Sequence, residues 1–165
     1  MKFPVKTWMA VALLTACTLL QAKGVLPGWM PTQGHLKQKN PGIITETENS
    51  VTLKGIASGN WTFFKPGDPI QAVKGDNIEI TLNISSCKGK VSVGFFEYSK
   101  GFIGGGAGLQ AKQLKEVSAP EEIKLSIPVK GGKTTIVRPQ IILAPGSELT
   151  LTSLTCKVIK ATEKN

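Results

Sequence analysis

The chain has little of what catalysis and nucleic-acid recognition draw on. Its 165 residues include one histidine, one tyrosine, one arginine and three cysteines. The lone histidine, His35, stands in a stretch rich in Pro, Gly, Gln and Lys, so the commonest general base and metal ligand is missing from the rest of the chain. No pair of carboxylates stands in a local arrangement for acid–base work. The chain therefore reads as non-catalytic, with no cofactor and no metal. The formal net charge of +9 includes Lys2 and Lys6; the other lysines are scattered between Lys23 and Lys164, with Arg138 the sole arginine. Phosphate-binding surfaces cluster their charge and use arginine forks. Scattered lysine instead suits solubility and guarded sheet edges, so no nucleic-acid partner is expected. Two apparent phosphate loops also fail. Gly132-Lys133-Thr134 has Ile127 where the first glycine belongs, and Gly104-Gly105-Gly106-Ala107-Gly108 has Leu109 where the third belongs. The second stretch reads as a mobile strand connection.

What is present begins at the N-terminus. Lys2 and Lys6 precede a charge-free run from Thr7 to Leu20, shorter than the about 20 residues a membrane helix needs. This is the pattern of a secretory signal peptide, residues 1–22, with cleavage after Ala22. The alternative is lipidation at Cys17, in the lipobox-like Leu14-Thr15-Ala16-Cys17. Continuation of the apolar run through Leu20 favours simple secretion, to the periplasm or the medium. No other stretch is long and apolar enough to span a membrane. Cleavage leaves Cys87 and Cys156, and in an oxidising compartment such a pair is expected to form a disulfide.

Residues 23–42 read as an irregular segment, with Trp29 and Met30 as its apolar anchors, and 161–165 as a polar tail. From Ile43 to Lys160 the periodicity is two, with no sustained helical stripe. In Asn77–Ser85, Ile78, Ile80, Leu82 and Ile84 share one face, while Glu79, Thr81 and Asn83 share the other. Lys90–Ser99 puts Val91, Val93 and Phe95 against Ser92, Gly94, Phe96 and Tyr98. Ile123, Leu125, Ile127 and Val129 alternate with Lys124 and Ser126. In Thr135–Leu143, Val137, Ile141 and Leu143 oppose Ile136, Arg138, Gln140 and Ile142, and Pro139 argues for an edge strand or a bulge. The last strand holds Leu149 and Leu151 inward, then shifts phase to Leu154, Cys156 and Val158, which implies a bulge near Thr152-Ser153. Lys74-Gly75-Asp76, Lys130 to Lys133 and Ala144-Pro145-Gly146-Ser147 are turns. With weaker strands at Ser50–Ile56, Trp61–Phe64 and Ile70–Val73, the pattern predicts an all-β antiparallel sandwich, a jelly roll of about eight strands.

The order of these features resembles a known one. A tryptophan near the start is followed by Ser50-Val51-Thr52-Leu53, Gly59-Asn60-Trp61 and Ile70-Gln71-Ala72-Val73-Lys74-Gly75-Asp76 leading into the long alternating strand. Val137-Arg138-Pro139-Gln140-Ile141-Ile142-Leu143, a Pro-Gly-Ser turn and a final bulged strand complete the set. This resembles the galactose-binding-domain-like jelly roll, as in carbohydrate-binding modules of families four and nine, over roughly Trp29 to Ile159. The resemblance implies a binding domain for a polysaccharide or glycan. Those modules often hold a structural calcium on an aspartate of the last strand. Thr152 stands at the matching position, so no such calcium is expected.

Sugars are held by aromatic rings on their C–H faces and by planar polar groups at their hydroxyls. The face of Phe96 and Tyr98, joined by Arg138 and Gln140 if the two strands share a sheet, meets that description. Trp61 is a further candidate ring. The alternative is a structural or protein-interaction role at the cell surface, with the same residues meeting a protein partner.

Overall fold

The computed structural model describes residues 28–31, 42–56, 61–65, 70–99, 106–131 and 135–161. The signal-peptide region with Cys17, His35, and Gly132 to Thr134 lie outside them. Among the described residues all regular structure is strand, and no helix is long and apolar enough to cross a membrane. The strands are β1 (Met30–Pro31), β2 (Ile43–Glu46), β3 (Val51–Lys54), β4 (Trp61–Phe64), β5 (Ile70–Ala72) and β6 (Asn77–Lys88). There follow β7 (Val91–Ser99), β8 (Gly106–Gln113), β9 (Glu121–Pro128), β10 (Thr135–Leu143) and β11 (Glu148–Ile159).

They form two antiparallel sheets. Sheet A runs β1-β4-β10-β7-β8, with β5 also paired to β10, and sheet B runs β2-β3-β11-β6-β9. The fold is an all-β antiparallel sandwich. Alternation decides which side of each strand meets the other sheet, because successive side chains point to opposite faces. Ile78, Ile80, Leu82, Leu149 and Leu151 line the core from sheet B, and Phe63, Val93, Phe95, Val137 and Ile141 line it from sheet A. Burying each such side chain stabilises the fold by about 1.5–3 kcal/mol relative to leaving it exposed. On the far side of sheet B, Glu79, Thr81 and Asn83 are half-buried, as the alternation requires.

The inward phase slips once on each strand of the longest ladder, between Ile84 and Cys87 on β6 and between Leu151 and Leu154 on β11. β6 and β11 pair from Glu148↔Lys88 to Ile159↔Asn77, with register shifts around Leu151. Thr152 is the extra residue on β11. Its Oγ1 donates to the Asn83 carbonyl at 3.3 Å, and Asn83 Nδ2 donates to Ser153 Oγ at 2.5 Å. The bulge lets Leu149 and Leu151 face the core on one side of the slip and Leu154 on the other. The turns stand where glycine permits them: Gly75 (φ 99°) and Gly146 (φ 76°) are left-handed, and Asp76 and Ser147 donate back to Val73 and Ala144.

Four expectations are corrected. Cys87 and Cys156 are not bonded to each other; both are free. Cys87 pairs with Leu149, and Cys156 pairs with Ile80, seven residues along β6. At about 3.3 Å per residue the cysteines stand about 23 Å apart, far beyond the about 7 Å Cα reach of a disulfide. Secondly, β10 is no edge strand: β7 pairs along its whole length, and β4 and β5 share its other side. Those two short strands cover Gln140–Leu143 and Thr135–Val137, so that side is unpaired at Arg138 and Pro139. A residue without an N–H is tolerated at such a gap. Thirdly, the Gly104–Gly108 stretch does not simply connect strands, because from Gly106 onward it belongs to β8. Its small side chains, mostly Gly and Ala, hid it. Lastly, β1, β2 and β8 raise the number of strands above the expected eight.

Candidate functional site

The outward face of sheet A is assembled by the β7–β10 ladder. Val91, Val93, Phe95 and Glu97 point inward and are buried, which turns Ser92, Gly94, Phe96 and Tyr98 outward. On β10 the buried Val137, Ile141 and Leu143 leave Ile136, Arg138, Gln140 and Ile142 outward. The register sets Arg138 opposite Phe96, Ile136 opposite Tyr98, and Gln140 opposite Gly94. β8 extends the face with Leu109 opposite Phe96, Ala111 opposite Gly94, and Gln113 opposite Ser92. Four of the five residues singled out by sequence, Phe96, Tyr98, Arg138 and Gln140, therefore lie in one patch on adjacent strands.

Phe96 and Tyr98 are neighbours on one strand face. Their ring centroids are 5.8 Å apart and their planes tilted by 34°, within the range of favourable aromatic pairs. Both are half-buried. Burial pushes the Tyr98 phenol above its usual pKa, and the positive charge of Arg138 pulls it partly back. The phenol and the guanidinium therefore sense one another. Gln140 is fully buried, and among the described residues neither its amide nitrogen nor its oxygen has a hydrogen-bond partner. An orphaned buried polar group costs about 1–3 kcal/mol.

The fifth residue, Trp61, pairs with Leu143, whereas Phe64 pairs with Gln140. Only the backbone pairing of these two residues is described, and it does not bring Trp61 opposite any of the other four candidates. Sequence reading passed over the β8 residues Leu109 and Gln113. In Gly106–Gln113 the alternating apolar residues are Ala107, Leu109 and Ala111, two of them only alanines and all directly after a glycine run, so the segment does not stand out as a strand.

Two features hold the patch together. Gln113 Nε2 donates to the carbonyls of Val91 and Leu114, at 2.5 and 3.1 Å, and Ser92 Oγ donates to Gln113 Oε1 at 3.1 Å, tying β8 to β7. Beneath the aromatic pair, Glu97 Oε1 accepts the backbone N–H of Lys130 at 2.8 Å and anchors the chain after β9. Among the described residues no group of three His, Cys, Asp or Glu could hold a metal ion. Thr152 lies in the β11 bulge, exposed, on the other sheet.

No family model matches the chain, and no curated protein matches it. Solved structures do. A family 11 carbohydrate-binding module from Clostridium thermocellum, in complex with a β-1,3-1,4-mixed-linked tetrasaccharide, has a TM-score of 0.45 and 14% identity, covering 82% of this chain and 89% of that one. A family 29 module complexed with cellulohexaose has a TM-score of 0.42 and 12% identity, covering 83% and 84%. A family 61 module in complex with β-1,4-galactotriose has a TM-score of 0.41 and 7% identity, covering 84% and 96%. The structural neighbours are carbohydrate-binding modules. The likeness to families four and nine in particular stays one of strand order. At such scores no residue role passes from those proteins to this one, and the sugars named are theirs.

Proposed function

We propose that this chain is a secreted, non-catalytic carbohydrate-binding domain that takes its ligand on the outward face of sheet A. The observation carrying the reading is the Phe96–Tyr98 ring pair, 5.8 Å between centroids, directly across the ladder from Arg138. Their strand already contributes Val91, Val93 and Phe95 to the core from its other side, so the fold does not depend on two rings facing outward. Rings cover the C–H faces of sugars, and a guanidinium and a phenol meet their oxygens. The charge-free run Thr7–Leu20 behind Lys2 and Lys6 supports export.

The test is a glycan array, or affinity electrophoresis through embedded polysaccharides, with Tyr98→Ala and Arg138→Ala beside the wild type. Loss of retention with an unchanged unfolding midpoint supports the reading. Early unfolding of both variants would make these residues structural and leave the proposal without a site.

One observation favours the alternative of a protein-interaction surface. Gln140, at the middle of the patch, is fully buried. A wild-type domain that binds no glycan on a broad array would give that reading precedence.

A further inference from the structure

The fold gathers at one corner lysines that the sequence scatters. The Gly75 N–H donates to the Val129 carbonyl at 3.3 Å, and the Val129 N–H donates to the Asp76 carbonyl at 2.8 Å. The Asp76 carboxylate takes the Ala161 N–H on Oδ1 and Lys160 Nζ on Oδ2. These bonds set Lys74, Lys130 and Lys160, all exposed, around a single turn. The acids of this corner are already engaged. Asp76 is buried, Glu97 is fully buried beneath the Lys130 N–H that it accepts, and Glu79 is held by Lys157 at 2.7 Å. Among the described residues neither Lys74 nor Lys130 has an ion-pair partner. Beside the lysines stand two aliphatic side chains. Val73 is 40% exposed and Ile159 is 41% exposed, two of the four large apolar residues that the described surface leaves open. Positive charge and bare hydrocarbon are presented together.

We infer that this corner is a second docking surface, which rests on an anionic lipid bilayer with its lysines among the headgroups and Val73 and Ile159 at the acyl boundary. It uses none of the residues of the sheet A patch, so it stands apart from what that face binds. Lysines near an anionic leaflet are drawn to its negative surface potential. Their long stems keep the ammonium groups at headgroup level while the adjoining apolar atoms sink deeper. Exposed hydrocarbon gains by leaving water for the boundary between headgroups and acyl chains. An acidic polysaccharide would also attract the three lysines, but it offers no apolar layer to Val73 and Ile159. The aliphatic pair therefore favours a bilayer over a soluble polyanion.

The experiment sediments the purified chain with vesicles of phosphatidylcholine alone and with vesicles of equimolar phosphatidylcholine and phosphatidylglycerol, and measures its retention on immobilised polygalacturonate. The variants are Lys74→Gln with Lys130→Gln, Val73→Ser and, as a control, Lys88→Gln with Lys90→Gln at the opposite end of β6. Lys160 is left in place because it holds Asp76. Each variant is checked for an unchanged unfolding midpoint. The wild type should sediment with the anionic vesicles only, and less so as salt rises. Losing Lys74 and Lys130 should weaken that binding by about thirty-fold, roughly five-fold for each lysine. Val73→Ser should weaken it by roughly three- to ten-fold, as loss of a partly exposed aliphatic chain would. The control pair should retain the wild-type affinity. Equal binding to both kinds of vesicle, binding to neither, equal losses from the two lysine pairs, or no effect of Val73→Ser would overturn the inference. Retention on polygalacturonate without vesicle binding would assign the corner to an acidic polymer and overturn it as well. The sugar reading of sheet A is decided by its own array and is untouched by these results.

Discussion

Lys160 Nζ stands 2.9 Å from Oδ2 of Asp76, a carboxylate 2% exposed, and this contact ties the end of β11 to the turn before β6. The same carboxylate accepts the N–H of Val73 at 3.0 Å and that of Ala161 at 3.2 Å. The Asp76 carbonyl accepts the N–H of Val129 at 2.8 Å. One aspartate thereby joins the β5–β6 turn, the end of β9 and the C-terminal segment.

That arrangement predicts a pH dependence. The Val73 N–H first, then Lys160, hold the Asp76 carboxyl below its ordinary pKa of 3.8, although burial works the other way. Its folded-state pKa is depressed, so its contribution is fully present above the unfolded value and is lost as pH falls below about 4 through the folded value. Asp76→Asn should lower the melting temperature at pH 7. Melts between pH 7 and pH 2 should show the gap to wild type closing at the acid end; a constant gap would count against this account.

Both thiols should be found free. Burial pushes the Cys156 thiol up to about 12, and burial, then the charge of Glu116, raises that of Cys87. The thiolate is the reactive form, so both should alkylate slowly in the folded protein at pH 8. In urea without reductant both should alkylate fully, as peptide mass spectrometry will show. A Cys87–Cys156 peptide pair would contradict the β6–β11 register.

The two faces of β6 should differ sharply. Ile80 is fully buried, so Ile80→Ala should cost about 2–5 kcal/mol in denaturant unfolding. Thr81, half-buried on the other face, should change stability by no more than about 0.5 kcal/mol when replaced by alanine.

Gly94 should not tolerate a side chain. A Cβ there would stand 1.8 Å from the Gln110 carbonyl oxygen and 2.6 Å from the Ala111 Cα, both backbone atoms of β8. Gly94→Ala must push β8 off β7 and should cost about 1–3 kcal/mol or more. Glycan binding should weaken with it, because β8 forms one side of the patch. Equal melting temperatures for variant and wild type would show that β8 yields freely.

A period of two is a local property, because side-chain direction along a strand depends only on position parity. The sequence alone therefore determined the sandwich class, the inward sets Ile78-Ile80-Leu82-Ile84 and Val91-Val93-Phe95, the phase slip near Thr152, and the outward placing of Phe96, Tyr98, Arg138 and Gln140. Pairing between strands is non-local, and only the tertiary structure decided it. The β6–β11 register separates Cys87 from Cys156, although both lie in strands and both were expected to meet. Pairing on both sides makes β10 a central strand despite Pro139, because β4 and β5 leave a gap beside that residue. Cross-strand pairing recruits Gly106–Gln113 as β8, a segment whose alternation is carried by small residues, Ala107 and Ala111 around Leu109. The same ladder sets Arg138 against Phe96. Parity could name the residues of that face, but hydrogen bonding between distant segments brought them into one patch.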